Sequence, residues 1–366
     1  PWNIKYRSEG KGDNLYLSSI VALKPDTGEY VWHYQTTPGE TWDYTATQHI
    51  VLADMDIDGR SRKVLMQAPK NGFFYVVDRL TGELISATAF ADDLTWAIGV
   101  DVDTGRPIET PEARYGRTGQ GVYLSPGPGG AHNWPPMSWN PDTGLVYLPA
   151  QNSSSYYAKT DDFEYRQGVW NTGLARTARA DRPDRPELEG PRTVLLALDP
   201  ATNTEVWRVA SQGAHGGTMS TGGGLVFRGS GDRLIGHDAR TGEELWSATV
   251  GQGTGTPMTY ELDGIQYVSI AAGRRVGRVY TFVLDGLPVT QIWATPAPIC
   301  RARSTDRRTN SSSWDVPSRS RAIPISNTER PMGSSGNIKE KPRTRPSSSI
   351  KKQLSSGDKP GTLKDC

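Results

Sequence analysis

The sequence predicts an all-β protein that forms part of a β-propeller, and three observations carry that prediction. An eleven-residue pattern recurs along the chain, with Asp and Thr-Gly near its middle and Trp at its end. Short apolar segments with the alternation of strands accompany the copies. No amphipathic helical period interrupts them, and the 40 glycines, 26 prolines and 11 tryptophans suit turns and pleated sheets.

The recurring pattern is that of a β-hairpin. Full copies span 22–32, 197–207 and 236–246, and a degenerate copy at 76–86 ends on serine instead of tryptophan. In each copy a strand leads into a turn whose Asp and Thr side chains can bond the local backbone and whose Gly can adopt a positive φ. A second strand then ends on the aromatic residue. The first two copies along the chain start 54 residues apart and the last two start 39 residues apart, which is roughly the size of a four-stranded propeller blade.

By composition the chain divides into a body, residues 1–287, and a tail, residues 288–366. The tail has 15 Lys/Arg and 6 Asp/Glu, a balance of +9, which leaves 26 basic and 34 acidic residues, a balance of −8, for the body. Ser, Arg, Lys, Pro and Thr dominate the tail, so we expect it to be disordered. An acidic body does not favour nucleic-acid binding. No run of about 18 apolar residues predicts a membrane span.

Two further features concern loops and cysteines. The stretch Thr160–Gly190 is polar and lacks strand alternation, so it is predicted to be a long excursion between strands. Cys300 and Cys366 are the only cysteines, and no Cys-x-x-Cys or Cys-x-x-Cys-His motif occurs. The sequence therefore predicts neither a thiolate zinc site nor a c-type haem attachment in this chain.

Several motifs, taken in order, resemble one known family. The segments are Pro-Trp-Asn at 1–3, Pro-Gly-Glu-Thr-Trp-Asp-Tyr at 38–44, Ala-Pro-Lys-Asn-Gly-Phe-Phe-Tyr at 68–75, His-Asn-Trp-Pro-Pro-Met-Ser at 132–138, and Gly-Gly-Thr followed by Gly-Leu-Val-Phe within 216–227. Together they resemble the methanol/ethanol dehydrogenases that use pyrroloquinoline quinone (PQQ). Members of that family are propellers of about eight blades with PQQ and a cation near the central axis. The resemblance covers roughly residues 1–287 and implies the later blades, the C-terminal half of such a propeller.

The same resemblance implies that other parts of the site belong upstream. In the family the acidic metal ligand, the adjacent-cysteine disulfide over the quinone and the ring-stacking tryptophan all precede the Pro-Trp-Asn motif. We therefore expect this chain to be a fragment that does not turn over alone, even with PQQ and calcium.

Two charged residues are the principal site candidates. By the resemblance, Asp43 is the general base that takes the alcohol proton, and it also touches the cation; hydride loss from an alcohol requires its oxygen to become alkoxide-like. Lys70 is implied to bond the reactive quinone oxygens, where negative charge develops. Lysine rather than arginine here points towards ethanol-type enzymes. The alternatives are a turn-capping aspartate and an exposed turn lysine.

Three further residues are implied to bind the cofactor. Asn133 and Trp134 belong to the His-Asn-Trp segment that lines the PQQ pocket in relatives, and an amide can both donate and accept. His215 precedes Gly-Gly-Thr, where relatives place tryptophan or asparagine, so its role stays open. Thr45 occupies the position at which lanthanide-using relatives carry an extra aspartate, which predicts calcium instead.

The sequence thus predicts part of a PQQ- and calcium-dependent enzyme that oxidises primary alcohols to aldehydes. By the resemblance its electrons pass to a cytochrome c and the protein is periplasmic. Two alternatives remain open: a quinoprotein acting on aldoses or polyols, and a non-enzymatic envelope scaffold with the same tryptophan-bearing repeat. Such a scaffold would have no reason to keep Asp43, Lys70 and Asn133 together.

Overall fold

The computed structural model describes residues 12–274 and 276–283, which belong to one compact unit. These residues form strands, one four-residue helix, α1 (Tyr115–Thr118), and one 3-10 turn, Arg179–Asp181. The all-β prediction is confirmed. The predicted tail and the Pro-Trp-Asn motif lie outside the described residues. Within the described ranges no helix has the length and apolar character that crossing a membrane requires.

Antiparallel sheets follow one another along the chain, and we number five of them as blades 1 to 5. Blade 1 contains β1 (Ser19–Leu23) and β2 (Tyr30–Gln35). Blade 2 contains β3 (Val51–Ile57), β4 (Arg60–Gln67), β5 (Phe73–Asp78) and β6 (Leu84–Ala89). Blade 3 contains β10 (Ser138–Asn140), β11 (Leu145–Gln151), β13 (Thr193–Asp199) and β14 (Thr204–Ala210).

The last two blades and two short ribbons complete the described strands. Blade 4 contains β15 (His215–Ser220), β16 (Leu225–Ser230), β17 (Arg233–Asp238) and β18 (Glu244–Thr249). Blade 5 contains β19 (Met258–Leu262), β20 (Ile265–Ala272) and β21 (Arg278–Val283). One ribbon pairs β7 (Ala97–Asp101) with β8 (Arg106–Glu109), and the other pairs β9 (Val122–Leu124) with β12 (Ser155–Tyr157).

The repeated turn has the geometry that its residues predict. In blade 4, Asp238 Oδ1 accepts hydrogen bonds from the backbone N–H groups of Arg240 (2.8 Å) and Thr241 (2.9 Å). The Gly242 N–H donates to the Asp238 carbonyl at 2.9 Å, and Gly242 has φ of 76°. A side chain would oppose that conformation, so glycine is favoured here. The turn of blade 2 repeats these contacts around Asp78.

The terminal tryptophan of the repeat joins one blade to the next. Trp207 of blade 3 lies over Gly242 of blade 4, where an added Cβ would be 2.7 Å from the indole ring. Its Nε1 donates to the Ala239 carbonyl at 3.1 Å. Trp32 of blade 1 covers Gly82 of blade 2 in the same way, with 2.8 Å to an added Cβ. The pattern that predicts a hairpin therefore also builds the junction between blades.

The junction between blades 2 and 3 uses a different pair at the same two positions. Ser86 stands in place of the tryptophan, and Asn203 stands in place of the glycine. Ser86 Oγ donates to Asn203 Oδ1 at 2.7 Å. Asn203 has φ of 60°, a left-handed conformation that asparagine tolerates better than most residues. A polar pair has thus replaced an indole stacked on a glycine.

Substitutions at this junction test whether Ser86 and Asn203 occupy the positions of the tryptophan and the glycine. Ser86→Trp should lower the free energy of unfolding by about 1–3 kcal/mol, because the indole would meet the Asn203 side chain. Adding Asn203→Gly should recover at least about 1 kcal/mol of that loss, since the clashing atoms are gone. Urea denaturation of the two single variants and the double variant measures the coupling. Strictly additive effects would contradict the positional equivalence.

Apolar side chains fill the spaces between blades. Val64, Met66 and Val76 of blade 2 and Leu148 and Leu196 of blade 3 are fully buried in one cluster. Similar clusters lie between blades 1 and 2, 3 and 4, and 4 and 5. Neighbouring sheets therefore bury their faces against each other, as stacked repeats must.

The predicted excursion is present in the described structure. It runs from the end of β12 to the start of β13, residues 158–192, and contains one isolated bridge, between Lys159 and Leu174, and the 3-10 turn.

Candidate active site

Asp43 lies in the loop between β2 and β3 in an unusual backbone conformation. Its φ is 73°, in the left-handed region. The residues on either side are tied down: the Trp42 carbonyl accepts from the Tyr157 hydroxyl at 3.1 Å, and the Tyr44 N–H donates to Glu40 Oε1 at 2.8 Å. Such a conformation persists where its surroundings hold it, and it is common at functional sites. These contacts fix the direction of the Asp43 carboxylate.

An aromatic cluster supports this loop from below. Trp42 is fully buried, and its ring centroid is 5.2 Å from that of Trp96 and 5.5 Å from that of Tyr44. The Trp42 Nε1 donates to the Ala113 carbonyl at 2.9 Å, and the Arg114 guanidinium lies 4.5 Å from the ring centroid. Trp42, the residue before Asp43, is therefore held in one position.

Lys70 faces this carboxylate from the turn that follows β4. Its Nζ donates to Asp43 Oδ2 at 3.2 Å. The side chains of Lys70 and Asp43 are only 10% and 22% exposed. A pair this well shielded from solvent interacts more strongly than a surface ion pair. Asp43 and Lys70, the two charged residues that the sequence predicts for the site, are thus in direct contact.

The loop at 127–134 packs against Lys70. Gly130 approaches so closely that an added Cβ would lie 2.4 Å from Lys70 Cγ and 2.7 Å from its Cα. The Ala131 N–H donates to the Lys70 carbonyl at 2.9 Å. Gln151, at the end of β11, donates from Nε2 to the Gly130 carbonyl at 2.9 Å. The Gly-Pro-Gly-Gly run at 127–130 is the sequence signal for this close approach.

Asn133 and Trp134 belong to the same loop, but their contacts differ from each other. The Asn133 amide is used within its loop: Nδ2 donates to the Gly129 carbonyl at 2.9 Å, and Oδ1 accepts from the Trp134 N–H at 2.9 Å. Trp134 is 69% exposed and lines a cavity of 430 Å³. Asn133 therefore shapes the loop, while the indole faces open space.

His215, at the start of β15, lines the same cavity as Trp134. Its Nε2 donates to the Ala150 carbonyl at 2.9 Å. Burial, together with the nearby charge of Arg228, lowers the pKa of His215 to about 4. The ring is therefore neutral at pH 7. Ala150 precedes Gln151, whose side chain bonds the Gly130 carbonyl in the loop that covers Lys70.

The structure brings Asp43 and Lys70 into contact and places Trp134 and His215 along one cavity, while the Asn133 amide serves its own loop. It also adds residues that sequence reasoning missed. Glu40 lies within the Pro-Gly-Glu-Thr-Trp-Asp motif, which was a signal for it. Tyr157 bonds the Trp42 carbonyl, although the two residues are more than a hundred positions apart in the chain. No sequence motif around Tyr157 predicts this contact.

Metal ligands are sparse in the described part of the chain. No group of three or more His, Cys, Asp or Glu side chains is placed to hold an ion among residues 12–274 and 276–283. Asp43 supplies one carboxylate, and Thr45 in the same loop supplies none. Asp43 could therefore supply one ligand of a cation site. The other ligands would have to come from outside the described residues.

Comparisons with known proteins show which family this chain resembles. The family described as "PQQ: Glucose/ethanol/alcohol dehydrogenase, beta-propeller domain" matches residues 5–89 and 200–268. The quinohemoprotein alcohol dehydrogenase ADH-IIG of Pseudomonas putida is 50% identical over 282 residues, covering 74% of this chain and 39% of that protein. The 1-butanol dehydrogenase (cytochrome c) of Thauera butanivorans is 46% identical over 312 residues, covering 78% of this chain and 44% of that protein.

Solved structures of alcohol dehydrogenases also match this chain. The ADH-IIG structure from Pseudomonas putida matches with a TM-score of 0.68 and 47% identity, covering 76% of this chain and 42% of that chain. A europium-containing methanol dehydrogenase matches with a TM-score of 0.65 and 32% identity, covering 74% and 47%. This chain spans about two fifths of the length of the curated relatives it matches (39% and 44%). It belongs to the quinoprotein, or PQQ-dependent, alcohol dehydrogenase family, and it carries part of the family's β-propeller.

Proposed function

We propose that this chain supplies the proton-accepting side of a PQQ-dependent enzyme that oxidises primary alcohols to aldehydes. The observation that carries the proposal is the contact between Asp43 and Lys70, 3.2 Å apart and largely shielded from solvent. A carboxylate beside an ammonium group offers a proton acceptor and a fixed positive charge within one site. The names of the relatives support alcohols as the substrate class over sugars.

The residues present fit PQQ, an anionic aromatic quinone. An ammonium group has three donors, and among the described residues Lys70 uses one of them on a side chain, towards Asp43. The remaining donors can meet quinone or carboxylate oxygens. Trp134 and His215 line one cavity together, and their rings would offer the cofactor further contacts. When bound, PQQ would supply the hydride acceptor.

The role of Asp43 follows from its placement. Its carboxylate is held by the neighbouring backbone contacts and would accept the hydroxyl proton of the alcohol as the C–H bond breaks. Lys70 keeps positive charge beside that carboxylate. The buried ring of Trp42 excludes water from one side of the loop.

The cation and the partner are finer parts of the proposal. We propose calcium, with Asp43 as one ligand, because an oxygen ligand set of modest charge suits it and Thr45 adds no carboxylate. Electrons would pass to a cytochrome c, for which the name of the Thauera butanivorans relative gives support. The family resemblance also supports a periplasmic location.

Titration of the chain with PQQ tests the proposal. Binding, followed by quenching of tryptophan fluorescence, should weaken about 10- to 100-fold in Lys70→Gln, because a charge-assisted contact is lost. Lys24→Gln is the matched control, since Lys24 is exposed and pairs with Glu29 at a remote turn. Asp43→Asn should remove any strengthening of binding by calcium.

Two results would contradict the proposal. One is a chain that shows no PQQ binding with or without calcium. The other is equal PQQ affinity in Lys70→Gln and Lys24→Gln, which would separate the ion pair from the cofactor.

A further inference from the structure

Two glutamines hold the loops on either side of the contact between Asp43 and Lys70. Gln67 is the last residue of β4 in blade 2, and Gln151 is the last residue of β11 in blade 3. Each therefore ends the second strand of its blade. Each also donates from Nε2 to backbone carbonyls of the loop that precedes the first strand of its own blade. The two side chains thus occupy equivalent positions and make equivalent contacts.

Gln67 acts on the loop that carries Asp43. Its Nε2 donates to the Ala46 carbonyl at 3.0 Å and to the Gln48 carbonyl at 2.6 Å. Both acceptors are carbonyl oxygens, so the amide nitrogen, not the amide oxygen, faces the loop. Gln67 is 1% exposed, and burying an amide is costly unless its hydrogen bonds offset the lost solvation. The two hydrogen bonds to this loop are therefore what favours an amide at this position over an apolar side chain.

Gln151 acts on the loop that covers Lys70. Its Nε2 donates to the Gly130 carbonyl at 2.9 Å and, at the longer distance of 3.3 Å, to the Gly129 carbonyl. Its backbone N–H donates to the Ala131 carbonyl at 2.8 Å. Gly130 is the residue that packs against the Lys70 side chain. Gln151 therefore fixes the segment that limits where that side chain can go.

The backbone of Lys70 links the two loops. Its N–H donates to the Thr45 carbonyl at 3.4 Å, in the loop that carries Asp43. Its carbonyl accepts from the Ala131 N–H at 2.9 Å, in the loop that covers its side chain. A shift of either loop would therefore move Lys70 relative to Asp43. Because the attraction between two charges falls with distance and with access of water, their contact depends on both loops.

Blades 4 and 5 show that this contact is not a general need of the fold. The last residue of the second strand is Ser230 in blade 4 and Ala272 in blade 5. Ser230 Oγ donates to the Gln212 carbonyl at 3.4 Å, a single and longer contact, and an alanine side chain has no donor. Both blades form without a glutamine at this position. The long amide side chains thus occur in the two blades whose loops surround the charged pair.

We propose that Gln67 and Gln151 are positioning residues that set the contact between Asp43 and Lys70 from two sides. Each acts through the loop that it holds. The consequence for cofactor binding rests on the proposed function, because only there do the two charged groups share a task. The placement of Lys70 itself can be measured without the cofactor.

Acetylation of the cofactor-free chain by acetic anhydride, followed by mass spectrometry of its peptides, measures how well Lys70 Nζ is shielded. Methionine fills the volume of glutamine but has no N–H to donate. Gln67→Met and Gln151→Met should each acetylate Lys70 at least about threefold faster, because a paired and shielded ammonium group becomes available. The exposed Lys24 should react at an unchanged rate and serves as the internal standard. Because Gln151 is only partly buried, its variant remains informative even if Gln67→Met lowers the stability of blade 2.

Asn140→Leu is the matched control. Asn140 is 2% exposed, and its Nδ2 donates to the Thr221 carbonyl at 3.0 Å, at the junction of blades 3 and 4. This variant also loses a buried amide donor, so it should be less stable in urea, but Lys70 should be acetylated at the rate of the unaltered chain. PQQ affinity should fall about 3- to 10-fold in the two glutamine variants and stay unchanged in the control, since a displaced ammonium group binds less well.

A glutamine whose variant leaves the Lys70 rate unchanged is not a positioning residue, and unchanged rates in both variants overturn the proposal. It is also overturned if Asn140→Leu accelerates the reaction as much as they do, because general loosening would then explain the result. Faster acetylation in the two variants, combined with no PQQ binding by any chain, would support the positioning role and contradict the proposed function.

Discussion

Replacing Gly130 by alanine is expected to lower the free energy of unfolding by about 2–4 kcal/mol and to abolish PQQ binding by the chain. The added methyl group would lie 2.4 to 2.7 Å from Lys70, including its Cα, so a rotamer change alone cannot relieve the clash. Gly130 also has φ of 77°, where alanine is strained. The loop would have to move away from Lys70, which would change the wall of the site.

Gly144→Ala is the matched control for this substitution. Gly144 has φ of 71°, and no atom lies within 4 Å of its added Cβ. It therefore reports the cost of backbone strain alone, about 1 kcal/mol. Urea denaturation and PQQ titration of both variants separate the two contributions. Equal stability losses in the two variants would show that close contact with Lys70 does not matter.

Acid is expected to unfold the chain below about pH 6, with buried histidines as a main cause. His237 is fully buried, its Nε2 accepts from Arg228 Nε at 3.1 Å, and its Nδ1 donates to the Gly242 carbonyl at 2.9 Å. Burial, aided by the charge of Arg228, lowers the pKa of His237 to about 4. The pKa of His132 and that of His215 are lowered to about 4 as well, mainly by burial.

A lowered histidine pKa makes the folded state less stable in acid. A histidine that stays neutral in the folded state binds its proton more readily when unfolded, at an ordinary pKa near 6.5. Stability is complete above pH 6.5 and is lost as the pH falls towards 4, by up to about 3 kcal/mol for His237. In His237→Gln the loss between pH 7 and 4.5 should be smaller, although the variant starts less stable. An unchanged pH slope would be incompatible with a neutral buried His237.

The local parts of the fold could be predicted from the sequence because they depend on neighbouring residues. The turn around Asp238 needs only its own Asp, Thr and Gly. The contacts between blades could not be predicted in this way, since the partner of Trp32 lies fifty residues further along the chain at Gly82. The period of the repeat predicts that blades stack but not which atoms meet.

The same division applies to the site. Asp43 and Lys70 were found through motifs, and the structure shows that they touch. The left-handed conformation of Asp43 could not be inferred, because it results from contacts made by Tyr157 and Glu40. The hydrogen bonds of the Asn133 amide within its own loop could not be predicted either. An asparagine side chain in a loop can bond either the local backbone or a ligand.

The contact between Ser86 and Asn203, at the junction of blades 2 and 3, can influence which sheets pair during folding. Sheets built from near copies of one hairpin risk being joined in the wrong order, since each could seat on several neighbours. A hydroxyl facing an asparagine would not be matched by the indole-and-glycine surfaces between blades 1 and 2 and between blades 3 and 4, and an indole would clash with the asparagine. We therefore expect this unlike junction to favour the pairing of blade 2 with blade 3 over other pairings of the sheets.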